Sequence, residues 1–130
     1  MKEEGKNYRL TMYPDYGECL FWDESGSMCG TTRSVFVYDD EDEIEVDLSS
    51  VEGLSEWYDE WEYCMDIMYG FIKDGSQIKP EQEELWDKQG LELAKAVKRL
   101  LPDDVEILYI CEYSNEEFLL TGTSVEKIKG

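Results

Sequence analysis

The chain has 130 residues, 42% hydrophobic and 13% aromatic, which suits one folded domain with a real core and argues against disorder. It carries 32 acids against 12 bases, a formal net charge of −20, and no histidine. That balance sets it against naked nucleic acid and anionic membranes, whose binding needs lysine and arginine, and it rules out Ser/His and Cys/His catalysis.

The opening "MKEEGKNYRL" is charged and has no apolar run of the kind a secretory signal needs. Residues 1–7 read as a loose end. "YRLTMY" (8–13) alternates, with Leu10 and Met12 on one side and Arg9 and Thr11 on the other, and predicts a first strand. Pro14 is expected to end it, because proline gives no ladder donor. In "YPDYG" (13–17), Pro14 and Asp15 suit the middle of a turn, and Gly17 can take a positive φ. This pentapeptide therefore reverses the chain, with Tyr13 and Tyr16 flanking it. "CLFWD" (19–23) predicts a second strand and brings Trp22 and Asp23 alongside. "ESGSMCGTT" (24–32) reads as a loop.

"SVFVY" (34–38) is β-branched and aromatic, hence a strand. A four-residue turn, "DDED", follows. Ile44, Val46 and Leu48 then alternate with Glu43, Glu45 and Asp47, the pattern of a half-buried strand (43–48) with an acidic outer face. From Ser55 the period becomes helical. Trp57, Trp61, Cys64, Met68 and Ile72 recur at three and four, and predict a helix over about 55–72 with Ser55 as its N-cap. Pro80 opens a second helix over about 80–101. Acids crowd its start, and Lys95, Lys98 and Arg99 its end, as the helix dipole favours. Trp86, Leu93, Val97 and Leu100 mark its apolar stripe. "VEILYICEY" (105–113) is the most apolar strand, fit for the middle of a sheet and for pairing with "YRLTMY". "EEFLLTGTS" reads as a short last strand, with 124–130 as a loose tail. Strands, two helices and a strand predict an α+β fold: a small, mostly antiparallel sheet with both helices on one face.

The acids are unevenly placed. Thirteen lie between Asp39 and Asp66, and no lysine or arginine falls between Ser34 and Ile72. Such crowding costs self-repulsion, which a cationic partner would relieve. The competing reading is a solvated face that only keeps the protein soluble. Asp39, Asp40, Glu41, Asp42, Glu43, Glu45 and Asp47 on the hairpin, with Glu56, Asp59 and Glu60 on the first helix, are the candidate partner-binding residues. Tyr13, Asp15, Tyr16, Trp22 and Asp23 are the candidate aromatic corner, since tyrosine and tryptophan are favoured contact anchors. No dedicated metal site is expected. An EF-hand loop needs glycine at its sixth position, where a start at Asp40 gives Glu45 and a start at Asp39 gives Ile44. No CxxC pair, nucleophile elbow or phosphate loop is present, so no catalytic residue and no cofactor is named. The thiols of Cys19, Cys29, Cys64 and Cys111 are expected to be free, although a Cys19–Cys29 bridge is compatible with their spacing.

"YPDYG" followed by "LFWDESG", an acidic helix bearing tryptophan, and "GLELAKAVKRLLPDDVEILY" resemble a group of small acidic bacterial proteins. That group is functionally uncharacterised, so the resemblance implies no catalytic residues. The chain departs from it between Ser27 and Asp47, where it carries an extra hairpin. The expected function is non-enzymatic: an immunity- or inhibitor-type module, cytoplasmic, covering a basic protein such as a toxin or nuclease. The alternatives are a nucleic-acid-mimicking regulator of a DNA-binding protein, and a protein with a carboxylate and divalent-metal site. The aromatic supply also leaves room for a homodimer interface.

Overall fold

Apolar residues at every second position build most of this fold. The computed structural model describes residues 8–39, 42–70, 79–122 and 124–129. Among them are eight strands and two helices, in the order β1 (Tyr8–Asp15), β2 (Cys19–Trp22), β3 (Met28–Thr31), β4 (Ser34–Asp39), β5 (Asp42–Asp47), α1 (Leu54–Met68), α2 (Pro80–Leu100), β6 (Val105–Ile110), β7 (Glu117–Thr121) and β8 (Ser124–Lys129). All eight strands join one sheet in the order β5-β4-β3-β2-β1-β6-β7-β8.

Neighbouring strands run antiparallel except at the join. β1 and β6 pair parallel, from Tyr8 opposite Val105 to Met12 opposite Tyr109. A parallel join cannot be made by a tight turn, and the stretch holding α1 and α2 supplies the long crossover it needs. The fold is α+β with a mostly antiparallel sheet, but the sheet is large, not small. "ESGSMCGTT" is not all loop: Met28–Thr31 forms β3 between β2 and β4. The tail is not loose over 124–129, where Ser124–Lys129 forms the outer strand β8. Expectations for residues 1–7 and 130 fall outside the described residues.

Other boundaries differ as well. β1 continues through Pro14 to Asp15, because its register to β2 shifts between Met12 and Asp15 and the ladder asks no donor of Pro14 there. β6 stops at Ile110 instead of reaching Tyr113. α1 begins at Leu54, with Gly53 at the N-cap in the left-handed region, rather than at a Ser55 cap. Residues 71 and 72, expected at the end of this helix, lie outside the described residues. α2 begins at Pro80 as expected, and the Lys79 N–H donates to Gln82 Oε1 at 3.0 Å.

The core gathers Leu10 and Met12 of β1, Phe21 of β2, Val35 and Val37 of β4, and Ile107 and Tyr109 of β6 with the apolar residues of both helices. α1 buries Leu54, Trp57, Tyr58, Trp61 and Met65, while Met68 is exposed. α2 buries Trp86, Gly90, Ala94 and Val97; Leu93 is half-buried and Leu100 is exposed. Trp57 and Trp86 stack with centroids 4.0 Å apart and planes 8° from parallel. Each indole N–H also donates to the other residue's backbone carbonyl, both at 2.9 Å. The Tyr109 hydroxyl donates to the Asp87 carbonyl at 2.9 Å. Beside this junction, a Cβ on Gly90 would lie 2.0 Å from the Tyr109 hydroxyl and 2.6 Å from the Trp57 ring, so only glycine allows so close an approach. No helix among the described residues is long and apolar enough to cross a membrane.

Candidate functional site

The YPDYG corner is a chain reversal fastened to α1. Gly17 takes φ 86° and Glu18 φ 65°, so the turn runs through two left-handed residues. The buried Tyr58 of α1 holds it from both sides. Its hydroxyl donates to the Asp15 carbonyl and accepts the Glu18 N–H at 2.9 Å. Burial pushes the Tyr58 phenol up to about 12, so this pin stays protonated in ordinary buffers. Asp15 accepts the N–H of Tyr16 at 2.8 Å, which stiffens the turn from inside.

The corner forms one wall of a cleft of about 570 Å³ between β1, α1 and the segment after β6. Tyr13, Asp15 and Tyr16 of the expected corner meet there, joined by Trp61, Tyr69 and Glu112. The Tyr16 and Trp61 rings lie 5.3 Å apart at 57°, and Tyr58 and Trp61 5.6 Å apart at 38°. The Tyr16 hydroxyl donates to Asp66 at 3.2 Å, which ties the rim of the cleft to α1. Trp61 Nε1 and Glu112 Oε2 are both buried and neither has a hydrogen-bond partner. Burial pushes the Glu112 carboxyl above the usual carboxylate range. Tyr13 and Trp61 come close enough to oppose that rise, yet neither gives Oε2 an ordinary hydrogen bond. The Tyr13 phenol is raised too, first by burial and then by Glu112.

Trp22 and Asp23 go elsewhere. The Trp22 indole donates to the Tyr13 carbonyl at 2.8 Å, bridging β2 to the irregular end of β1. With Tyr13, Thr11, Leu108 and Ile110 it lines an open depression of about 810 Å³ on the other side of β1 and β6 from Met12 and Tyr109. Asp23 is a turn residue. One carboxylate oxygen accepts the Ser25 hydroxyl at 2.6 Å and the N–H groups of Ser25 and Ser27 at 2.9 and 3.0 Å. Those bonds, the Ser25 hydroxyl first, hold its carboxyl below the usual range.

On the hairpin, Ile44 and Val46 pair with Val37 and Val35 and lean on the core, so Glu43, Glu45 and Asp47 point away from it. Glu45 lies opposite Phe36, which is exposed, and accepts the Ser34 hydroxyl at 3.0 Å. Asp47 accepts the Ser49 N–H at 2.8 Å and its carboxyl is lowered by that bond. β5 is an outer strand of the sheet, so these acids stand on a sheet edge. Asp42 is exposed at the start of β5. Asp40 and Glu41 lie outside the described residues, and Asp39 is placed only as the last residue of β4. Glu56, Asp59 and Glu60 are exposed on α1. Glu56 and Glu60 line a groove against α2 with Leu85 and Lys88, floored by Trp57, and do not join the hairpin acids.

Other carboxylates and thiols are structural. Asp87 is buried and accepts the N–H groups of Tyr113 and Ser114 at 3.4 and 3.0 Å; burial raises it and those bonds oppose the rise. Cys19, Cys64 and Cys111 carry free thiols, so no bridge joins Cys19 to Cys29. Burial pushes Cys111 up to about 11, away from thiolate chemistry. Among the described residues no group of three or more Cys, Asp or Glu side chains is placed to hold a metal ion.

Glu112, Trp61 and Tyr69 were not among the site residues expected from sequence. Trp61 was absorbed into the helix's apolar stripe. Glu112 carried a signal, as a lone acid at the end of the most apolar run in the chain. Comparison with family models, curated proteins and solved structures returned no match.

Proposed function

We propose that the protein is a non-enzymatic, acidic binding module of the immunity or inhibitor kind, which engages a basic protein through its β4–β5 hairpin. One observation carries this reading. Glu43, Glu45 and Asp47 project together from an outer strand, beside the exposed Phe36, in a stretch with no lysine or arginine between Ser34 and Ile72. Such a row supplies long-range steering of a cationic partner, and the neighbouring aromatic supplies apolar contact area. The α1 acids, set apart on the helical groove, add to the steering field without belonging to the contact. With the two helices read as covering the core side of the sheet, the side bearing Phe36, Trp22, Leu108 and Ile110 is left free for a partner. The YPDYG and LFWDESG motifs support grouping the chain with small acidic bacterial proteins, and that grouping assigns no residue a role.

The test is a paired pull-down from lysate of the source cell at physiological salt. The baits are the wild type and a variant with Asp42→Asn, Glu43→Gln, Glu45→Gln and Asp47→Asn. A basic protein held by the wild type and lost by the variant is the expected result. Identical recoveries with both baits would make the acid row a solubility feature and end the proposal.

A further inference from the structure

Trp61 Nε1 and Glu112 Oε2 are buried at the back of the corner cleft, close enough for the indole to act on the carboxyl but without an ordinary hydrogen bond. The walls are aromatic: the faces and edges of Tyr13, Tyr16, Trp61 and Tyr69. Its charged lining is acidic, Asp15 and Glu112, and no lysine or arginine lines it among the described residues. An anion is therefore repelled, and a purely apolar guest leaves Glu112 unpaired.

We propose that this cleft binds one cationic head group, an ammonium or a guanidinium, with Glu112 as its buried counter-ion and the tyrosine and tryptophan rings as its walls. Aromatic faces attract cations through their quadrupole, and the attraction grows when the site is dry. Glu112 lines the cleft, and a carboxylate beside such a ring box adds direction, because guanidinium and ammonium groups pair best with an anionic partner. Asp15 at the rim draws the charge in. The turn that presents Tyr13, Asp15 and Tyr16 is pinned by Tyr58, so the box is held in shape before any guest arrives. The cleft of about 570 Å³ admits the head group of a side chain or of a small free amine. This inference does not rest on the hairpin reading, since the two surfaces share no residue.

The experiment follows the indole N–H of Trp61 by ¹H–¹⁵N NMR, assigned through Trp61→Phe. The protein is titrated with N-acetyl-lysine amide, N-acetyl-arginine amide and the neutral N-acetyl-norleucine amide. The cations should give a saturable shift and the neutral probe none. Glu112→Gln keeps the shape and should weaken cation binding by about tenfold or more. The hairpin variant above should bind the probes as the wild type does, which separates this site from general attraction to a charge of −20. Tetramethylammonium and a lysine-containing peptide then distinguish the source of the guest. A peptide that binds more tightly than the capped residue points to a partner's side chain, and equal binding of the small ion to a free amine. The proposal is overturned by any of three outcomes: no saturable shift with either cation, an equal response to the neutral probe, or undiminished binding to a folded Glu112→Gln protein.

Discussion

Single residues decide several features of this protein by space and by charge. Gly90 is the clearest case of space. Alanine is the better helix former by about 1 kcal/mol, so on propensity alone Gly90→Ala would stabilise α2. Its Cβ would instead sit 2.0 Å from the Tyr109 hydroxyl and 2.6 Å from the Trp57 ring. Rigid rings cannot yield as a flexible side-chain end can, and overpacking of this kind costs about 1–3 kcal/mol. Gly90→Ala should therefore lower the urea midpoint despite its propensity. Glu112 is the clearest case of charge. Burial lifts its carboxyl above the ordinary value of 4.5, with Tyr13 and Trp61 opposing that rise and the charges of Asp87 and Asp15 adding to it. The folded protein thus holds this proton more tightly than the unfolded chain does. The stabilisation from this group is complete below the unfolded value and is lost as pH rises through the raised folded value. Differencing against Glu112→Gln removes the background of the other acids. The stability of the wild type relative to the variant should be greatest in acid and should fall towards neutral pH, as denaturant melts at a series of pH values would show.

At the scale of elements, the two helices are joined chiefly through Trp57 and Trp86, which stack and exchange indole hydrogen bonds. Removing either indole breaks the stack and leaves the other residue's backbone carbonyl without its donor, while the remaining indole N–H keeps its main-chain acceptor. Trp57→Phe, Trp86→Phe and the double variant should therefore be non-additive, with a coupling energy within about 0.5–3 kcal/mol, measured by chemical denaturation. The alternation of Ile44 and Val46 with Glu43, Glu45 and Asp47 made β5 readable, because a half-buried strand imposes period two. Trp57 and Trp61 at spacing four made α1 readable in the same way. β3 was hidden because "SMCGT" carries glycine and serine, residues that favour turns. Its place is secured by tertiary pairing, with Gly30 between Phe21 and Val35. β8, "SVEKIK", was hidden because every residue in it is exposed, so burial left no pattern to read. In the corner, the turn of YPDYG was legible from Pro14, Asp15 and Gly17. The cleft it forms with Glu112 was not, because nothing local in sequence shows that residues 13–16 and 112 meet.

For the whole molecule, the charge of −20 is a standing load on the fold. Acids lie on the sheet edge and on the helical groove, and the salt bridges that offset some of them are at the surface, as between Lys88 and Glu84 or Arg33 and Glu18. Exposed pairs of this kind contribute about 0–1 kcal/mol each, too little to cancel the general repulsion. Added sodium chloride should raise the melting temperature, since screening weakens like-charge repulsion more than it costs these few pairs. A calorimetric series from low to moderate salt tests this, and a falling melting temperature would show that attractive pairs dominate. The parallel join of β1 to β6 has another consequence, which concerns the order of events during synthesis. Leu10 faces Ile107 across that join, so the two halves of the sheet meet only between residues 97 apart in a chain of 130. While the ribosome is still making the helices, the β1 edge that β6 will cover has no partner. Closing so distant a contact is slow, and an unpaired strand edge is the kind of surface that recruits chaperones or other nascent chains. The dense acids on β5, made early and at the opposite edge, would keep such half-built sheets apart until "VEILYI" emerges to close the gap.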